Sequence, residues 1–219
     1  MIVEKKQLYF VPGLAACSKI FEFLKLPENN FELHFLDWLL PLSENEPIEK
    51  YAKRMAELVK EKNAVLIGVS FGGIMVQEMS KHLETSKVIL ISSVKNRGEL
   101  PRRLKFIQKT KAYKLFPAES IQNIEDFSVY AFGSFAKKKV DIYNKYLSVR
   151  DAKYLKWAIF NVLNWKQEQT LSNVIHIHGV NDEVFPSKHL KDFIPIKNGT
   201  HVMILNKANT ISKIIIDSI

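Results

Sequence analysis

A single cysteine, Cys17, stands among 219 residues, so no disulfide closes within the chain and no oxidising compartment is implied. No stretch approaches the ~18 unbroken apolar residues that a membrane span requires. The opening Met1-Ile2-Val3-Glu4-Lys5-Lys6-Gln7 lacks the charged-then-apolar order and the small-residue cleavage site of a secretion signal. The expectation is a cytoplasmic protein without a membrane span. Repeats, low-complexity tracts and linker-like segments are missing too, which leaves one domain over residues 1–219. The six histidines are scattered without paired ligand spacing, so neither a metal nor a cofactor is expected.

Acidic residues are the scarcer charge. Lys plus Arg is 32 against 23 for Asp plus Glu, a net charge of +9. The basic residues are spread out except in two clusters, one of Arg102, Arg103, Lys105, Lys109, Lys111 and Lys114, the other of Lys137, Lys138 and Lys139. No nucleic-acid-binding motif accompanies them, so no nucleic-acid partner is expected. Solvated faces are their plain reading. The alternative is that Arg102, Arg103 and Lys105 receive an acidic carrier, such as one bearing phosphates.

What the chain does have is apolar residues, 47% of the total, in a regular pattern. Leu8–Val11 is a short apolar run ended by Pro12-Gly13, a buried strand and a turn. Residues 16–25 carry Ile20, Phe23 and Leu24 at helical spacing. Phe31–Leu36 alternates like a strand near a sheet edge. Pro47 opens a predicted helix to about Lys62, striped by Tyr51, Met55, Leu58 and Val59. Ala64–Ile67 and Lys87–Ser92 are continuous apolar strands of the kind covered on both faces. A helix to about Leu83 lies between them. Val174–His178 and Phe193–Ile196 are further strands, and Met203–Ile219 a closing helix.

Alternation of this kind predicts an α/β protein, a doubly wound, mostly parallel sheet of about six strands with helices on both faces. Residues 94–172 contain no convincing strand. Three helices are predicted there, one starting at Pro101, one striped by Val140, Tyr143 and Leu147, one by Leu155, Ile159 and Val162. The core is therefore 1–93 plus 173–219, with a helical insertion between strands 4 and 5.

The chemistry lies in the loops after these strands. Gly68-Val69-Ser70-Phe71-Gly72 matches G-x-S-x-G, which lifts a serine clear of the backbone on a tight strand-to-helix turn. The motif recurs by chance, but here it follows a buried strand and opens a helix, the context its chemistry needs. Asp182 follows the strand ending at His178, and His201 follows the last strand. All three loops lie at the carboxyl edge, where sites form in doubly wound sheets. Glu183 is the alternative acid. His34, His82, His176, His178 and His189 are the rival bases, and none of them follows the last strand. Cys17 reads as a small buried hydrophobe rather than a nucleophile, lacking an adjacent base motif.

The elbow, the H-G-x-x-D-x-x-x-P loop from His178 to Pro186 and the late Gly199-Thr200-His201 together resemble the α/β-hydrolases over nearly the whole chain. The resemblance implies a nucleophile at Ser70, a base at His201 and an orienting acid at Asp182. It also implies an oxyanion hole at the backbone N–H groups of Leu14 and Phe71, and a cap in the insertion. Two departures stand out. The first strand resembles the third of the full fold, so the two leading strands are absent, and Pro12-Gly13 replaces the common His-Gly.

The activity implied is hydrolysis of a carboxylic ester through an acyl-enzyme, with a small or medium apolar acyl group. The alternatives are a thioesterase or acyltransferase on carrier-bound acyl groups, and a non-catalytic ligand-binding protein of the same fold. The insertion is rich in aromatics, among them Phe106, Tyr113, Phe116, Phe127, Tyr130, Phe132, Phe135, Tyr146, Trp157 and Trp165. Most are expected to glue it to the core, and a few to line a substrate pocket.

Overall fold

The computed structural model of the chain describes residues 5–115 and 145–219. Six strands form one open sheet: β1 (Lys6–Val11), β2 (Phe31–Phe35), β3 (Ala64–Val69), β4 (Thr85–Ile91), β5 (Val174–Gly179) and β6 (Ile194–Ile196). Their order is β2-β1-β3-β4-β5-β6, and every pairing is parallel. β3 is buried at every position, and β4 from Val88 onward, as their unbroken apolar runs demand.

The helices are α1 (Ile48–Ala56), α2 (Phe71–Met79), α3 (Arg102–Thr110), α4 (Ala152–Asn164), α5 (Met203–Asn206) and α6 (Ala208–Ser218). Right-handed crossovers put α1 and α2 on one face and the connection from β1 to β2 on the other. α1 packs on α2. On the far side a 3-10 turn at Ser18–Phe21 packs on α5, and Lys25 N–H donates to Ser212 Oγ of α6 at 2.9 Å.

Several predicted helices are shorter than their periodicity suggested. Residues 16–25 hold only the 3-10 turn, because their backbone donors are drawn elsewhere. Cys17 N–H donates to Tyr146 O and Lys25 N–H to Ser212 Oγ, while Phe23, counted toward a buried face, is 46% exposed. α1 stops at Ala56 rather than Lys62. Leu58 and Val59 bond three residues back, and Asn63, at φ 56°, turns the chain into β3. The closing helix breaks in two at Lys207, whose φ is −121°.

The insertion runs from the end of β4 to the start of β5, with no strand among its described residues. It is rooted in the sheet domain at both ends. Lys95 is buried, with its ammonium 3.8 Å from Glu99 and bonded to Lys191 O, while Glu99 accepts from Lys95 N–H and Lys191 N–H. At the other end Trp165 is buried and donates to Glu78 Oε1 of α2 at 2.7 Å. Trp157 is wholly buried and stacks on Tyr51 of α1, as expected of glue. Phe106 is not glue; it is 66% exposed on α3. Val140, Tyr143, Phe116, Phe127, Tyr130, Phe132, Phe135 and the Lys137–Lys139 cluster lie outside the described residues.

Candidate active site

β1 connects to β2 on its one side and lies beside β3 on its other, so the crevice above β1 and β3 is the topological switch point of the sheet. The register sets Val11 against Gly68 there. Pro12-Gly13 and Val69-Ser70 therefore leave the sheet side by side.

Ser70 sits at φ 54°, ψ −118°, backbone that costs a side-chain-bearing residue on the order of 1–3 kcal/mol. Three bonds hold it there. Its N–H donates to Ile91 O at 2.9 Å, and its carbonyl accepts from Gly73 N–H at 2.9 Å and from Ser93 Oγ at 2.7 Å. The glycines are steric necessities. A Cβ on Gly68 would lie 2.2 Å from Gly72 O, and one on Gly72 would lie 2.3 Å from the carbonyl oxygens of both Val11 and Pro12.

Asp182 and His201 are joined in the same way at the other side of the sheet. β5 pairs with β6 at Gly179 and Ile196, and a Cβ on Gly179 would meet Gly199 O at 2.4 Å. Asn181 N–H closes the contact by donating to Gly199 O at 2.9 Å. This close approach carries Asp182 to His201. Asp182 is 4% exposed; its Oδ1 accepts from Val184 N–H and Phe185 N–H at 2.8 Å each, and its Oδ2 lies 2.8 Å from His201 Nδ1. Burial is the largest influence on this carboxyl and pushes its pKa up. The charge and hydrogen bond of His201, with His178 and the Phe185 N–H, outweigh it and hold the pKa below the usual value.

Asp182 is therefore an acceptor, which puts the His201 proton on Nδ1. The lone pair on Nε2 then faces Ser70 Oγ at 2.9 Å. The structure thus joins Ser70, His201 and Asp182 in one hydrogen-bonded chain. Glu183 is exposed and turned away; its carbonyl, like that of Val184, accepts from Arg103.

Of the other histidines, His178 is buried with Nε2 on Phe185 O at 2.9 Å and 3.4 Å from Asp182 Oδ2. His176 is buried edge-on to it. Burial lowers both pKa values, His176 to about 3, with the charge of its neighbour adding to the effect at His176. His34 stacks on Tyr9, His82 is exposed, and His189 ends a 3-10 turn. None of these touches Ser70.

The two expected oxyanion donors flank Ser70. Phe71 opens α2, where the first N–H groups have no partner within the helix. Gly13 approaches so closely that a Cβ on it would lie 3.5 Å from Ser70 Cβ, which brings Leu14 to the same spot. Neither N–H is taken by an acceptor among the described residues. Two residues were not singled out by the sequence. Ser93, fixing Ser70 O, gives no signal there. Trp38 donates Nε1–H to Gly13 O at 3.0 Å and stacks on Phe71, with centroids 5.0 Å apart. Its only mark in the sequence is a lone tryptophan soon after the second strand.

Above Ser70 opens a narrow cleft of about 60 Å³. Leu14, Ile20, Tyr146, Leu147, Val202 and Leu205 line it, with Ser70 and His201 at its floor. The charge lies elsewhere. α3 has no buried residue, and Arg102, Arg103, Lys105, Lys109, Lys111 and Lys114 are all exposed on it or just after it. Groups of three or more side chains fit to hold a metal do not occur among the described residues. Nor, among them, is any helix long and apolar enough to cross a membrane.

No protein-family model matches the sequence, and no curated protein matches it either. Solved structures do match in shape. A hydrolase from Pseudomonas aeruginosa PA01 superposes with a TM-score of 0.71 at 12% identity, over 98% of this chain and 89% of that one. An epoxide hydrolase from Bacillus megaterium gives 0.70 at 14% identity, over 99% and 94%. A thermophilic esterase from Thermogutta terrifontis gives 0.67 at 14%, over 98% and 89%. At such identities the likeness is one of fold.

Proposed function

From the premise that this chain has the α/β-hydrolase fold, we propose that it is a serine hydrolase that cleaves a carboxylic ester through an acyl-enzyme. The observation that carries the reading is the unbroken chain from Ser70 through His201 to buried Asp182, at the floor of an apolar cleft. His201 Nε2 takes the Ser70 proton as Oγ attacks the ester carbonyl. Asp182 holds the imidazole in the tautomer this requires and stabilises the imidazolium that forms. The N–H groups of Leu14 and Phe71 receive the developing oxyanion; each such donor is typically worth about 3 kcal/mol of barrier. The tetrahedral intermediate collapses, the C–O bond to the alcohol breaks, and His201 returns the proton to the leaving oxygen. Water, deprotonated by the same imidazole, then releases the acid and restores Ser70.

The cleft favours an uncharged acyl group of small or medium size, because among the described residues no Lys, Arg, Asp or Glu side chain lines it to compensate a buried ion. The insertion acts as the cap, contributing Tyr146 and Leu147 to the wall. Epoxide hydrolysis is disfavoured, since the elbow carries Ser70 where such enzymes typically carry aspartate.

A second reading is thioester cleavage or acyl transfer on an acidic carrier. What favours it is the placement of the basic helix: Arg103 of α3 donates to the carbonyls of Glu183 and Val184, so the helix flanks the loop that holds Asp182. The third reading, ligand binding without catalysis, leaves the Ser70–His201–Asp182 alignment without a purpose.

The test is fluorophosphonate labelling of the protein beside Ser70→Ala, with hydrolysis of p-nitrophenyl esters from acetate to long acyl chains. Labelling and turnover that both vanish in Ser70→Ala are the expected result, with kcat down about 10⁴- to 10⁶-fold. Folded wild type that neither labels nor turns over any ester sinks the hydrolase reading and leaves ligand binding in the lead.

A further inference from the structure

We infer that Trp38, which touches neither Ser70 nor His201, is a positioning residue that aims both N–H groups of the oxyanion hole. This rests on the serine-hydrolase reading. The argument begins with one peptide plane. Gly13 C=O and Leu14 N–H belong to the same trans amide, so they point in opposite directions and fixing one fixes the other. Gly13 O accepts two bonds, from Trp38 Nε1–H at 3.0 Å and from Ala16 N–H at 3.0 Å. Ala16 N–H closes a local turn that travels with the loop. Trp38 comes from outside the loop and ties it to the body of the protein.

The same indole reaches the second donor. Its ring stacks on Phe71 at 5.0 Å with 15° between planes, and Phe71 is buried. One rigid side chain therefore bridges the two segments that carry the two donors. It is itself held by other elements. Tyr154 of α4 lies 5.6 Å away and Tyr51 of α1 lies 6.4 Å away, centroid to centroid. Tyr51 Oη donates to Leu39 O at 2.7 Å, fixing the backbone next to Trp38. Gly13 lacks a side chain that would otherwise anchor its loop, and glycine carries the largest backbone entropy to be lost. Some group has to supply the order that catalysis by preorganised dipoles requires. Val149 N–H on Ala15 O and Cys17 N–H on Tyr146 O anchor the loop further on, and the indole N–H is the group from outside it that bonds the Gly13–Leu14 amide itself.

Positioning of this sort has a kinetic signature. The oxyanion exists only after attack, so a misaimed Leu14 N–H weakens the transition state and leaves ester binding alone. The experiment is Trp38→Phe, which keeps an aromatic ring beside Phe71 and removes the N–H. Steady-state hydrolysis of the best p-nitrophenyl ester is compared with wild type, together with thermal melting and the Kd of an aryl boronic acid. The expected result is kcat lower by about tenfold, KM within twofold, a melting temperature close to wild type, and boronate affinity falling in parallel with kcat. Should Trp38→Phe not fold, benzothienylalanine at position 38 keeps the bicyclic shape, lacks the N–H, and is read the same way.

A variant with wild-type kcat and boronate affinity overturns the role of Trp38 and leaves the hydrolase reading intact. A rise in KM at constant kcat overturns it too, since that marks a residue of the binding wall. Wild type inert to esters and to fluorophosphonate overturns both together.

Discussion

The site is built in two halves, and each half is held together by different physics. The half with Ser70, where β1 and β3 end, is held by shape: glycines packed on carbonyl oxygens, a serine at positive φ and an aromatic clamp. Among the described residues no charged side chain bonds to it. The half with Asp182 and His201, where β5 and β6 end, uses one close glycine approach and then relies on charge. A buried carboxylate accepts two backbone N–H groups and faces two imidazoles. The first half should therefore fail when atoms are added, the second when charge is altered at constant shape.

The largest expected effect tests the second half. Asp182→Asn preserves volume and removes the negative charge, so the imidazole loses both its tautomer preference and its counter-charge. Ester hydrolysis is expected to fall about 10⁴-fold in kcat, equivalent to about 5 kcal/mol of barrier. Steady-state kinetics on the folded variant checks this; a loss below tenfold would mean that the carboxylate does not orient His201.

The next effect tests the first half. Gly72→Ala adds one carbon 2.3 Å from two backbone oxygens that cannot move independently of β1. A destabilisation of about 3 kcal/mol follows from such overpacking, or a melting temperature lower by roughly 10 °C for a chain of this size. Calorimetry on Gly72→Ala beside Asp182→Asn separates the halves: the first should melt well below the second. Similar melting temperatures would erase the distinction.

The smallest effect sharpens the electrostatic half by pH. His176 has its pKa lowered from 6.5 to about 3 by burial and by His178, so the unfolded chain binds a proton that the folded chain refuses between those values. Stability therefore falls as pH drops through that window, by at most about 1.4 kcal/mol per unit. Asp182 has linkage of the same sign in a lower window: its lowered pKa stabilises the fold above about 3.8, and this is lost as pH falls below that value. His176→Leu should lessen the loss as pH falls below 6.5 and leave the part carried by His178 and, at lower pH, by Asp182. Urea titrations at stepped pH measure this. An unchanged profile in His176→Leu would mean that this ring does not carry the acid sensitivity.

How much of this was legible in the sequence follows the same division. The strands were plain, since buried parallel strands must be apolar throughout, and their order placed Ser70, Asp182 and His201 on one edge. Glycines marked the close approaches because nothing else fits. The failures came where tertiary contacts overrode periodicity. Ile20, Phe23 and Leu24 have helical spacing, yet their segment spends its amides on Tyr146 and on α6. Trp38 and Ser93 act through hydrogen bonds to the backbone of residues 25 and 23 positions away. No local pattern encodes such a bond, because any residue can offer the carbonyl.

The rooting of the insertion has an entropic consequence. Lys95 and Glu99 pin the chain as it leaves β4, and Trp165 and Gln167 pin it before it returns to β5, so the ends of the intervening segment are fixed in space. For a segment with fixed ends, doubling the number of flexible residues costs only about 0.6 kcal/mol in closure entropy. Residues added between those anchors therefore cost the sheet little, whereas exchange of α4 would not, since its Trp157 and Tyr154 are buried against Tyr51 and Trp38, and Ser93, two residues before Lys95, keeps its hold on Ser70.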